Sequence, residues 1–531
     1  MKKNKAILAF CLVLLLLCAT GCGSERKNAP EEETALASEE PATTQTDNDE
    51  AEAEEESMAA PVETEAVEES KEDAEESFVP KGAVSMEIDR LPAHWSIQEL
   101  GLAVNEGEGS LAVRSDDLLV RYERDEDGTI RYYPVDHMGK RLTEDSYADV
   151  EELLPGLYTV QAFGEGVNNT GLLTEEGEML IDCEAAIING ILNDYSSEFS
   201  QRFLLVVYGL EETENQDEAF FRATKSMFSF TPQEGDVFYT GYAKVYDLEK
   251  RAFVPDLTIH NSDRFSTRAG SNCFSYKDES GVTTLYGAEG KALFSKENAM
   301  ISLGDGFALL DYHTVIDDQG EVLFESKDYL NLISGSGRFL LKSGYGDEET
   351  VVYDYFGNRL FSLPGSVRVS SDGGGLFCCT DANGGMLYDM QGQQIVRVEN
   401  IGAPSYEGYG IWLFYSLNDE VSSVYYLANG STVEPTGKSS YALINRLEDT
   451  PEGSISIAPW NAPEEPITLN CSYDSVLCDA LTLCYGDENV LLECFGGEIL
   501  LKDQRVELGN DHYLYAQTAD GLMVYELVEE Y

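Results

Sequence analysis

The stretch VVYDYFGNRLF, residues 351–361, returns with small changes as GLLTEEGEMLI (171–181), TLYGAEGKALF (284–294), TVIDDQGEVLF (314–324) and MLYDMQGQQIV (386–396). Every copy has apolar residues at positions two, three, ten and eleven and glycine at seven. A glycine held between two short apolar runs marks a position of positive φ, where a side chain would be strained. In YDYFGNRL the carboxylate of Asp354 stands where it can accept backbone N–H groups of a turn. Gly357, three residues on, can close a type I turn with a bulge. The repeated unit is therefore a β-hairpin.

The interval between copies states how much chain each hairpin belongs to. Gly290, Gly320, Gly357, Gly392 and Gly430 are 30, 37, 35 and 38 residues apart, and Gly139 to Gly177 adds 38. One interval reads as four strands, SVRVSSD (366–372), GLFCCTD (375–381), MLYDMQ (386–391) and QIVRVE (394–399), joined by tight turns. A four-stranded sheet recurring at this period is a propeller blade. The next marker after Gly177, Lys250 in KVYDLEKRAFV, leaves a double interval with a polar insertion near 211–218. A second double interval, from Gly430 to Gly496, has room for a degenerate unit around WNAPEEPITL (460–469). The reading is an all-β chain, a β-propeller of about eight four-stranded blades (seven to nine) over residues 86–531. Two smaller propellers are the rival arrangement. The best local helix pattern, DSYADVEELL (145–154), spans three turns at most.

The N-terminal 85 residues are of other kinds. Lys2, Lys3 and Lys5 precede the apolar run AILAFCLVLLLLCA, residues 6–19. That run is too short for comfortable spanning and suits a signal peptide. It ends in ATGC followed by GS, which resembles the lipobox of bacterial lipoproteins. The resemblance implies lipid attachment at Cys22 and a place on the extracytoplasmic face of the cell membrane, in a Gram-positive cell. Residues 1–22 form the leader and residues 23–85 the tether. From Ser24 to Pro80 there are 21 acidic residues, three basic ones and one aromatic, Phe78. Such a segment cannot bury enough apolar surface to offset ordering entropy, so it is expected to be disordered. Its 57 residues would span about 40 Å before self-repulsion extends them.

A net charge of −63, from 35 basic and 98 acidic residues, disfavours nucleic acid and anionic lipid as partners of the folded body. The segment YADVEELLPGLYTVQAFGEGVNNTGLLTEEGEMLI (147–181) resembles the bacterial WG-repeat family. Tyr147, Gly156-Leu157, Gly171-Leu172-Leu173 and Gly177 fall on its pattern, although the Trp-Gly dipeptide is absent. That resemblance implies a β-propeller or a related β-repeat fold.

Signatures of chemistry are missing. The five histidines stand singly, without H-E-x-x-H, G-x-S-x-G or S-x-x-K around them. ERDEDG (123–128) opens like a calcium loop, but Pro134 occupies the position of the closing glutamate, so a hairpin tip is the plainer reading. The eight cysteines beyond the leader show no C-x-x-C pair and read as buried thiols or one or two disulfides. No catalytic residue, cofactor or metal site is assigned. In YEGYGIWLFYS (406–416), the run 411–415 reads as a strand buried between blades. Tyr406 and Tyr409, on the preceding loop, are the candidate ligand contacts. His313 reads as a strand-end residue. The function expected is a membrane-anchored, non-enzymatic binding or scaffolding module for a protein, peptide or glycan. The alternative is a hydrolase or lyase of polysaccharide, which would need convergent carboxylates or a histidine at the mouth of the central channel.

Overall fold

The computed structural model describes residues 94–530 apart from interspersed stretches, the longest of them 224–236 and 434–453. The leader with Cys22, the acidic tether and Tyr409 lie outside the described residues. Among the described residues every regular element is a β-strand. Residues 145–154 are no helix: Asp149–Leu154 is a strand, with Val150 and Leu154 buried.

The strands form eleven antiparallel sheets among the described residues. In chain order they occupy residues 110–134, 149–185, 187–260, 268–297, 301–325, 331–363, 368–399, 401–433, 455–469, 471–502 and 505–530. Eight have four strands, the first has three, the third six and the ninth two. The seventh joins Arg368–Ser370, Phe377–Thr380, Gly384–Tyr388 and Gln394–Glu399 in that order, the meander expected for one repeat.

The number of sheets exceeds the seven to nine expected, for two reasons. The marker turns join third and fourth strands, and the eleventh sheet takes its fourth strand, His94–Leu102, from the far end of the described chain, so it has no such turn to count. The degenerate unit is present as the pair Ile455–Ile457 and Ile467–Leu469. The double interval from Gly177, by contrast, holds one enlarged sheet. Its meander is Ile187–Leu192, Phe199–Thr213, Val237–Asp247 and Ala252–Phe253. Phe221–Ala223 and Ile259–His260 add to its third strand.

The marker turns have the expected chemistry. Asp354 Oδ1 accepts from the amides of Phe356 and Asn358 at 3.0 and 2.8 Å, and the Gly357 amide donates to the Asp354 carbonyl at 3.1 Å. Asp136, Asp317 and Asp389 each repeat this pattern. Gly357 has φ +86°, and a Cβ there would lie 2.4 Å from the ring of Phe324, on the last strand of the preceding sheet. The glycine is thus needed twice, for its backbone angle and because the turn is pressed onto its neighbour.

Side-chain alternation joins the sheets. Phe377 and Cys379 pack with Phe339, Val352 and Phe361 of the sixth sheet. Leu376 and Cys378 point the other way, to Trp412 and Phe414 of the eighth. Phe203 and Leu205 meet Phe274 and Tyr276 of the fourth sheet, while Leu204 and Val206 meet Leu172 and Ile181 of the second. A polar link spans three sheets: Arg202 donates to Asp247 through Nε and Nη2 and to Asn272 through Nη1, and Asn272 donates to Asp318.

The first and last described strands share a sheet. His94–Leu102 is the outermost strand of the eleventh, paired with Gly521–Glu530. The inner face of this sheet, Tyr515 and Val524, packs on Leu119 and Val135 of the first. Meanders that bury both faces against their neighbours, and that close through a sheet made from the first and last described strands, constitute a β-propeller. Each sheet has two ends. One carries the reversals between strands one and two and between strands three and four, including the glycine turns. The other carries the two-to-three reversals and the crossovers to the next sheet.

Gly128 has the same φ as Gly357, +86°, but nothing within 4 Å of where its Cβ would be. Gly128→Ala is expected to cost about 1–2 kcal/mol, the left-handed penalty alone. Gly357→Ala should add about 1–3 kcal/mol of overpacking. Urea unfolding of the two variants measures the difference, and equal losses would show that the turn is not pressed on Phe324.

Candidate functional site

The reversal between the second and third strands of the fifth sheet consists of Asp311, Tyr312 and His313. Two consecutive non-glycine residues here have positive φ, +46° at Asp311 and +67° at Tyr312. Aspartate tolerates this region; a tyrosine there is an outlier, and such strain persists only where the surroundings over-determine it. They do so here. The Asp311 amide donates to the Met300 carbonyl at 2.7 Å, and the Asp311 carboxylate accepts from the Met300 amide at 3.1 Å and from Lys296 Nζ at 2.6 Å. The carbonyls of Tyr312 and His313 accept from the amides of Leu330 and Ser326 at 2.8 and 2.9 Å.

These ties gather aromatic rings at the crossover end of the sheet. Tyr329, in the crossover to the sixth sheet, lies with its ring centroid 4.7 Å from His313 and 5.9 Å from Tyr312. Tyr329 is 64% exposed and Met300, at the start of the fifth sheet, 53%. These are two of the few large apolar side chains left in solvent among the described residues. His313 Nδ1 is 3.1 Å from the Asp328 carbonyl. A carbonyl only accepts, so Nδ1 carries a proton and donates it to Asp328. Both local carboxylates have cations, Asp311 with Lys296 at 2.6 Å and Asp328 with Lys342 at 2.9 Å. The site is an aromatic shelf bordered by two ion pairs, able to stack on a ring and to exchange hydrogen bonds at its rim.

The residues singled out in the sequence lie elsewhere or were read for another role. Tyr406 is the last residue of the strand Ile401–Tyr406 rather than part of a loop, opposite Trp412. It sits at the strand one-to-two end, away from the shelf. Trp412 and Phe414 are fully buried between the seventh and eighth sheets, as the strand reading required. His313 does stand just before a strand, yet it belongs to the shelf. Tyr329 and Met300 carried no signal in the sequence, because an isolated aromatic in a crossover has no periodicity to mark it.

No protein-family model matches the chain, and no curated protein matches it. Among solved structures, the computationally designed Ika8 protein is similar at 13% identity and TM-score 0.27, over 62% of this chain and all of its own. BamB from Moraxella catarrhalis is similar at 13% identity and TM-score 0.26, over 61% of this chain and 97% of its own. The C-terminal WD40 domain of Sif2 gives 10% and 0.21, over 68% and 95%. The propeller is defined by the sheet order and closure of the chain itself.

Other titratable groups are engaged structurally. Asp194 follows the innermost strand of the third sheet, and its carboxylate accepts from the Leu303 amide at 2.9 Å, with Arg268 at 3.7 Å. Burial pushes its carboxyl up, against that hydrogen bond and the nearby arginine. Among the described residues no group of three or more histidine, cysteine, aspartate or glutamate side chains is arranged to hold a metal ion. ERDEDG forms a hairpin tip, where the Gly128 amide donates to the Asp125 carbonyl and the Thr129 amide to Asp127 Oδ1. Cys183, Cys273 and Cys379 are free thiols.

Burial pushes the Cys273 thiol up to about 12, and Cys379 moves in the same direction for the same cause. The thiolate is the reactive form, so neither should alkylate in the native protein at pH 8. Peptide-resolved mass spectrometry after iodoacetamide treatment, before and after unfolding, checks this. Lys296, hydrogen-bonded to Asp311, holds that carboxyl below the ordinary aspartate range, and the Met300 amide acts in the same sense. A depressed folded-state pKa gives stability that is present above the unfolded value and lost as pH falls through the folded one. Asparagine keeps the left-handed preference while removing the charge. Asp311→Asn should therefore lower the unfolding midpoint at pH 7, and the difference from wild type should shrink once pH falls below about 3.8.

Proposed function

We propose that this protein is a lipid-anchored, extracytoplasmic propeller that binds a glycan without chemically changing it. Tyr329, His313 and Tyr312 form the seat. The observation carrying the reading is that one exposed ring, Tyr329, is braced by a strained turn tied to the neighbouring sheet. A sugar presents a C–H face to such a ring and hydroxyls to the groups beside it, here the His313 ring nitrogen and the paired Lys296 and Asp311. Locally the two carboxylates are balanced by two lysines, and the chain as a whole is at −63, so an uncharged ligand fits better than a polyanion. The Cys22 lipobox and the acidic tether of residues 23–85 support attachment to the outer face of a Gram-positive membrane, with the propeller held clear of it.

Two measurements test the two halves of the proposal. Calorimetric titration of the protein with cell-wall glycan fragments should show saturable binding. Tyr329→Ala should weaken that binding roughly tenfold, the scale of a lost aromatic anchor, with the unfolding midpoint unchanged because the ring is exposed. Binding indifferent to Tyr329 would rule out the shelf. In cells, Cys22→Ala should abolish palmitate labelling and release the protein from the membrane fraction; retention would rule out the anchor.

A further inference from the structure

The third sheet carries a row of rings that its neighbour leaves partly open. Its second and third strands, Phe199–Thr213 and Val237–Asp247, run to 15 and 11 residues, whereas the strands of the second sheet have five to seven. The second sheet covers Leu204, Val206 and Tyr246 on the side facing it. Farther along, Tyr208 and Tyr242 stay part-exposed and His260 is exposed. Strand pairing sets the three rings side by side, Tyr208 opposite Tyr242 and Tyr242 opposite His260. The two tyrosine rings stack with centroids 5.7 Å apart and planes 24° apart, and the imidazole lies 6.3 Å from Tyr242.

Carboxylates face this row. Burial first, then Tyr242 and the exposed Glu184 and Asp182 on the outermost strand of the second sheet, push the Tyr208 hydroxyl up to about 12. The hydroxyl therefore keeps its proton at neutral pH. Glu211, also exposed, follows Tyr208 on the same strand. Arg202, Lys250 and Arg251 of the third sheet are taken by Asp247, Glu249, Glu289 and Glu178. Lys244 Nζ lies over the Phe253 ring, 5.6 Å from its centroid. Among the described residues no cation is paired with Asp182, Glu184 or Glu211.

We infer that this row binds an organic cation, a guanidinium or alkylammonium group, held over the rings of Tyr208 and Tyr242 and against the carboxylates of Asp182 and Glu184. The face of a tyrosine ring is negative and draws a cation to it. A guanidinium also stacks flat on a ring while donating in pairs to a carboxylate. Lys244 over Phe253 is the same attraction made within the chain. An anion would meet three carboxylates here, and an uncharged ligand would leave them unanswered. The aromatic shelf differs on this point, because both of its carboxylates already have lysines. The net charge of −63 adds a long-range field that concentrates cations around the chain.

The test is calorimetric titration of purified full-length protein with butylguanidinium, with uncharged butylurea, and with an acetylated, amidated Gly-Arg-Gly peptide. Butylguanidinium should bind saturably at a single site and butylurea should not. A peptide that binds as tightly assigns the cation to a polypeptide partner, and a peptide that is excluded assigns it to a free small molecule. Tyr242→Leu, which keeps an apolar side chain without a ring, should weaken butylguanidinium binding roughly fivefold. His260→Ala, at the exposed ring, should weaken it roughly twofold and is read in its place should Tyr242→Leu not fold. Tyr329→Ala should leave it unchanged, which separates this row from the shelf. Unsaturable binding, or binding that the ring variants leave unaltered, would be diffuse attraction to an acidic chain and would overturn the proposal. Equal binding of butylurea would overturn it as well.

Discussion

A four-stranded meander with apolar side chains on both faces cannot cover itself, and this requirement organises the molecule. Phe377 needs the sixth sheet and Trp412 needs the seventh; neither side chain is protected until a neighbour arrives. Burying a side chain of this kind is worth about 1.5–3 kcal/mol, and nearly every sheet contributes several to each side. A linear stack would leave one uncovered face at either end. Here the first and eleventh sheets meet through Leu119, Val135, Tyr515 and Val524, and the stack becomes a cycle.

The cycle divides its two ends by physical role. At the glycine-turn end, Gly357 against Phe324 and Gly392 against Phe361 leave no space for a Cβ, and the Arg202–Asp247–Asn272–Asp318 link crosses three sheets. Loops there are part of the packing and have little freedom to vary. At the crossover end the turn through Asp311 and Tyr312 is held by hydrogen bonds rather than by close packing. Rings can therefore project into solvent without disturbing the core, which is where a binding surface can be built on a rigid scaffold.

What could be read in advance follows the same division. The Asp-x-x-Gly turns were legible because their chemistry is local: a carboxylate four residues from the amide it accepts, and a glycine whose φ no other residue adopts easily. Strand alternation around residues 377–379 and 411–415 was legible for the same reason. The total of sheets was not, since the eleventh takes its fourth strand from residues 94–102 and so has no marker turn, and the third absorbs an interval long enough for two units. Of the shelf, only His313 was noticed, and as a strand end. Tyr329 and Tyr312 come together through a crossover and a strained turn. Such encounters in space leave no period in the sequence.

The strand 94–102 is the first part of the propeller to be synthesised and pairs with 521–530, the last. Its partner does not exist until the whole repeat array has emerged, so ring closure is a late event of very high contact order. Until then one strand waits with its edge unpaired and the first sheet waits with Leu119 uncovered, the kind of intermediate that associates with other chains. The mature molecule gains topological security from having its beginning stapled to its end. Its nascent form has a long interval of vulnerability in which helper proteins would find their substrate.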